Sequence, residues 1–174
     1  MNIKSILQSQ YLSALAMLRQ AIVKCPAEAW DDTRDKNKFW FLAYHTLYYA
    51  HRYLKAKDKN YPRWEQRRYS QPGVPFSKEE ILERFALVEQ DVIEQIGIMN
   101  LDQTSGSLGL SNKLELQLYN LRHIQQHAGE LYEKLSTYEK IKLGWVDQRS
   151  NFKSSRTRSK RWRHDAASLE EKKK

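Results

Sequence analysis

Leu7, Tyr11, Leu15, Leu18 and Ile22 recur at spacings of three and four, with Lys4, Ser5, Gln8 and Gln10 breaking the apolar run, so a first amphipathic helix is predicted from about Ile3 to Lys24. Pro26 cannot continue it. CPAEAWDDTRDKN then reads as a turn-rich connection, and from about Lys38 the run KFWFLAYHTLYYAHRYLKA is apolar and aromatic nearly all round, as in a helix packed on most of its circumference. The excursion DKNYPRWEQRRYSQPGVP, with Pro62, Pro72, Gly73 and Pro75, is loop chemistry that could form a lid or rim. Ser77 followed by Glu80 is a capping-box signature, and Ile81, Phe85, Val88, Val92 and Ile96 mark the third helix behind it. NLDQTSGSLGLSN leads to a fourth, KLELQLYNLRHIQQHAGELYEKLSTYEK, with Ser111 or Asn112 as N-cap, and Gly144 and Trp145 begin the exit.

Four helices of roughly 20 residues, without internal repeat or sustained strand-like alternation, predict an all-α four-helix bundle. The length of 174 residues suits one core. The expected division is a bundle over 1–146 followed by a basic tail over 147–174.

Charge sharpens that division. Of the formal +9, residues 149–174 carry ten Lys or Arg against three acids, which leaves the body near neutrality. The basicity therefore says little about the folded part. The tail, with Phe152 and Trp162 among its cations, is expected to be solvated, with no more than weak attraction for nucleic acid or other polyanions. The single cysteine, Cys25, cannot form an internal disulfide, and the N-terminal stretch lacks both a signal-peptide core and a membrane span. A cytoplasmic location is expected.

The candidate chemistry lies in histidines. His123 and His127 are four apart on the fourth helix, in one sector with Leu116, Asn120, Ile124 and Leu131, so they project together towards the interior. A pair at this spacing could equally be two core histidines bonded to neighbouring carbonyls. His45, in the apolar setting AYHTLYY of the second helix, adds a third interior imidazole that would be costly without a partner. Three such residues on two helices suggest one site. Neutral imidazoles suit zinc, nickel, copper or iron, and three protein ligands with an open position is the catalytic rather than the closed structural pattern.

The segment AEAW after the first helix, FLAYHTLYYAHRYL around His45 and LRHIQQHAGEL around His123 and His127 together resemble the DinB/YfiT-like superfamily over about residues 3 to 146. The resemblance implies a four-helix bundle whose His45, His123 and His127 hold a divalent ion such as zinc or nickel, with the remaining positions open to water or substrate. It further implies a metal-dependent enzyme acting on a small molecule: a transferase or isomerase using a low-molecular-weight thiol, or a hydrolase. Gly129 fits the family pattern, whereas Glu130 stands where many relatives carry glutamine. Glu130 is the one candidate catalytic residue: it could orient a ligand, act as a base, or pair with Lys134 on the surface.

Other readings narrow. Ile124 follows His123 where a metalloprotease helix would place its glutamate, so peptidase chemistry is disfavoured. His51 is expected at the rim or satisfied by neighbours rather than as a ligand, and His164 has no role. Cys25 is expected to be inert, and no phosphate-cradling glycine motif is present. The rival to an enzyme is a non-enzymatic bundle, with structural or no metal, that binds an acidic partner through the tail and the Arg63 to Arg68 stretch. Dimerisation through exposed helix faces is compatible with either.

Overall fold

The computed structural model describes residues 2–55, 64, 73–138 and 141–147. The Arg63 to Arg68 stretch, apart from Trp64, and the basic tail with His164 lie outside the described residues. Among those described the protein is all-α, with one isolated bridge between Thr104 and Asn112 and no strand. No helix among the described residues is long and apolar enough to cross a membrane.

Helix α1 spans Ile3–Lys24, and Asn2 caps it by accepting from the Ser5 backbone N–H. Its predicted stripe is buried, Tyr11, Leu15, Leu18 and Ile22 completely. Ala27–Trp30 forms a four-residue helix, α2, where the sequence suggested only a connection. Pro26 opens it in extended conformation, and Trp30 anchors it by donating its indole N–H to the Phe76 carbonyl at 2.8 Å. That bond is made across 46 positions, so no local periodicity announces the element.

Helix α3, Phe39–Leu54, buries all of its sixteen residues except His45, Tyr49 and Arg52. These three are spaced as i, i+4 and i+7, one narrow stripe on an otherwise enclosed helix. Helix α4, Lys78–Ile98, starts with the predicted capping box: Glu80 N–H donates to Ser77 Oγ, and Ser77 N–H to Glu80 Oε2 at 2.7 Å. Helix α5, Lys113–Ser136, is capped by Asn112, which accepts from the Glu115 N–H at 2.9 Å. Ser111 instead bonds the Glu115 carboxylate.

Contacts along the four long helices fix their directions. Tyr11 meets Gln117 and Met17 meets Gln125, so α1 and α5 run parallel. Lys4 bonds Gly97 and Gln8 bonds Ile93, so α1 and α4 are antiparallel. Tyr44 faces Arg84 and His51 faces Asp91, which makes α3 and α4 parallel, while α3 and α5 are antiparallel. Two consecutive helices that run in the same direction need a long connection between them, and 55–77 is the longest between the long helices.

After α5 the chain turns back over α1. Gln20 brackets Gly144 with two hydrogen bonds, accepting from its N–H and donating to its carbonyl, and Val146 is buried. The folded part thus extends at least to that residue.

Candidate metal centre

The α3–α5 seam is aligned by two buried amides. Gln117 donates to the Tyr53 carbonyl at 3.0 Å, and Asn120 to the Ala50 carbonyl at 3.0 Å. Tyr11, from α1, closes the set by donating its hydroxyl to Gln117 at 2.8 Å. Buried amides carry a free-energy penalty unless bonded, so these pairings select one register. From that register two i, i+4 ladders face each other: His45, Tyr49 and Tyr53 on α3, and Tyr119, His123 and His127 on α5. Tyr53 meets Tyr119 with ring centroids 5.8 Å apart, Tyr49 meets His123 at 5.7 Å, and His45 meets His127 at 5.0 Å.

The last rungs bring the three predicted histidines together, and their ligating atoms lie within 4.8 Å of one another. His123 Nε2 is 3.3 Å from His45 Nε2 and 3.1 Å from His127 Nε2. Two nitrogens bound at ~2.0–2.1 Å to one tetrahedral ion are separated by about 3.3 Å, so this spacing accommodates a shared ion. Proton chemistry serves the same three atoms poorly. One N–H on His123 Nε2 cannot donate a full bond to both neighbouring nitrogens, whereas a cation accepts all three lone pairs at once. The residues therefore fit a divalent ion.

Electrostatics keeps His45 and His123 neutral. Burial, followed by the neighbouring imidazoles, pushes the His45 pKa down to about 3, and burial with His127 beside it pushes His123 down to about 4. Neutral imidazole is the ligating form, so both are ready to bind at neutral pH. The environment is aromatic: Tyr49 lies 4.8 Å from His45 between centroids, and Phe41 lies 6.1 Å away on the other side. His127 is buried, while His45 and His123 are half-buried at the seam, so the centre lies below the one stripe that α3 leaves uncovered.

Glu130 does not pair with Lys134, the surface alternative read from sequence. Lys134 reaches Asp35 of the α2–α3 connection at 2.7 Å. Glu130 instead faces His127, Oε2 to Nδ1 at 2.9 Å, and accepts from Gln126 Nε2 at 3.2 Å through Oε1. Burial works against its ionisation, but the bonds from His127 and Gln126 prevail and hold the carboxyl below its usual pKa.

His51 stands apart from the cluster, as expected, and is fully buried rather than at a rim. Its Nε2 lies 2.5 Å from Asp91 Oδ2, Lys55 reaches the other oxygen at 2.8 Å, and the Trp64 ring covers the imidazole at 5.0 Å. Burial lowers the His51 pKa despite that carboxylate. Cys25 is buried at the end of α1 with its thiol pKa pushed up to about 12 by burial, consistent with an inert thiol. The sequence reading missed Tyr49 at the site. The signal was present, since positions 45, 49 and 53 repeat the spacing of 119, 123 and 127, but it identifies a seam only when both helices are compared.

No protein-family model, no curated protein and no solved structure matches this chain.

Proposed function

We propose that the protein is a DinB-like four-helix bundle that holds one divalent ion, zinc or nickel, through Nε2 of His45, His123 and His127, and that it is a metal-dependent enzyme acting on a small molecule. The convergence of three imidazoles, with His123 Nε2 at 3.3 Å from His45 Nε2 and 3.1 Å from His127 Nε2, on two helices locked in register by Gln117 and Asn120, carries this reading. Three protein ligands leave coordination open, as in catalytic rather than structural sites. The bound ion would supply Lewis-acid activation of a small nucleophile.

The chain's own residues supply binding and orientation. The three imidazoles hold the ion, Tyr49 and Phe41 give the site an apolar wall, and the half-buried His45 and Tyr49 mark the side open to a reactant. The substrate class follows from the sequence resemblance: thiol-dependent transfer or isomerisation first, hydrolysis of a small molecule second. The absence of a glutamate after His123 weighs against peptide hydrolysis.

The test is metal content of tag-free protein by elemental analysis, wild type beside His45→Ala and His123→Ala, followed by turnover assays with small thiols. Near-stoichiometric zinc or nickel lost in both variants, with thiol-dependent turnover in the wild type alone, is the expected result. A wild type that takes up no metal after reconstitution would contradict the reading.

A further inference from the structure

Glu130 is placed by its own helix. It lies three residues after His127 on α5, so its carboxylate reaches back over the outer edge of that imidazole, on the opposite side from the cluster. Two contacts fix its orientation: Oε2 takes His127 Nδ1 at 2.9 Å and Oε1 takes Gln126 Nε2 at 3.2 Å. The lysine that would otherwise compete for it, Lys134, is engaged by Asp35.

A carboxylate is an acceptor only, so at this distance Nδ1 of His127 must be the protonated nitrogen. A neutral imidazole carries one ring proton, and its lone pair is therefore on Nε2, the atom that faces His123 Nε2 at 3.1 Å. By contrast, His123 Nδ1 is buried with no hydrogen-bond partner among the described residues. The tautomer of His127 is thus set from its outer side.

We propose that Glu130 is a positioning residue for the metal centre: it fixes His127 in the Nδ1–H tautomer, leaving the Nε2 lone pair free for the ion, and places one negative charge behind that ligand. The inference rests on the metal-binding reading for its consequence, not for its geometry. An outer carboxylate of this kind typically tightens metal binding by about 10–100-fold. It also distinguishes a built site from three histidines that merely meet, because it prepares the lone pair before any ion arrives.

Long-range proton–nitrogen correlation spectra of the metal-free, histidine-labelled protein test the tautomer, and chelator competition with zinc tests the affinity. The wild type is expected to show His127 protonated on Nδ1. Glu130→Leu is expected to lose that preference and to raise the zinc Kd by about 10–100-fold, with its helix content unchanged by circular dichroism. Glu130→Gln, whose amide oxygen can accept the same bond, is expected to restore the tautomer and most of the affinity. His127 protonated on Nε2 in the wild type, or zinc binding by Glu130→Leu within twofold of wild type, would overturn the proposal. If the wild type bound no zinc, the proposed function would fail, and the spectra of the metal-free protein would still decide the role of Glu130.

Discussion

Asn120 on α5 donates its side-chain N–H to the backbone carbonyl of Ala50 on α3 at 3.0 Å, and this single bond lies between the core and the histidine cluster. Its position explains why His123, one turn on, meets the α3 ladder at Tyr49 and His45 rather than a turn away.

Removing that bond should loosen the site more than the fold. Asn120→Ala leaves the Ala50 carbonyl without its side-chain partner and is expected to cost about 1–3 kcal/mol in urea unfolding. Zinc affinity should fall in addition, whereas Ile81→Val in the α4 part of the core should cost about 0.5–1.5 kcal/mol and leave affinity unchanged. Equal affinity in the two variants would show that the amide does not set the register.

The His51–Asp91–Lys55 group holds α3 to α4. Asp91→Leu removes the carboxylate those two side chains share and strands the lysine's charge at the edge of the core. Breaking a buried pair in this way is expected to cost about 3–5 kcal/mol, towards the lower end because Lys55 keeps a path to solvent. A double-mutant cycle with Lys55→Met, read by denaturant unfolding, should recover part of that loss, and strict additivity would contradict a coupled group.

Stability should depend on pH through the same residue. The folded-state pKa of His51 is lowered, so below the ordinary value near 6.5 the unfolded chain takes up a proton that the folded protein resists. The contribution is complete above that value and is lost as pH falls towards the folded-state pKa, at a limit of about 1.4 kcal/mol per pH unit for one proton. In metal-free protein His45 and His123 act with the same sign, down to about 3 and about 4. The Tm of the metal-free wild type is expected to fall from pH 7 to pH 5, less steeply in His51→Gln; a Tm that rises on acidification would reverse the assignment.

Local chemistry made the long helices and the histidine triad legible. The capping box at Ser77 and Glu80, the N-cap at Asn112 and the 3–4 periodicities are contained within one or two turns of chain, and the structure returns them at the predicted places. His45, His123 and His127 were readable from an i, i+4 pair on one helix and a third histidine among apolar neighbours on another, although His45 and His123 lie half-buried at the α3–α5 seam rather than in the interior. What escaped was set by distant partners. Helix α2 depends on Trp30 bonding Phe76, the burial of His51 depends on Asp91 one helix away, and the role of Glu130 depends on Asp35 occupying Lys134. The parallel course of α3 and α4 is likewise invisible to any periodicity.

X-ray absorption of the zinc-loaded, tag-free protein tests the central claim most directly. The account predicts one zinc per chain with three imidazole nitrogens at ~2.0–2.1 Å and further light-atom ligation, with the imidazole contribution diminished in His45→Ala. Zinc coordinated by one or two imidazoles, or a spectrum unchanged by His45→Ala, would contradict it.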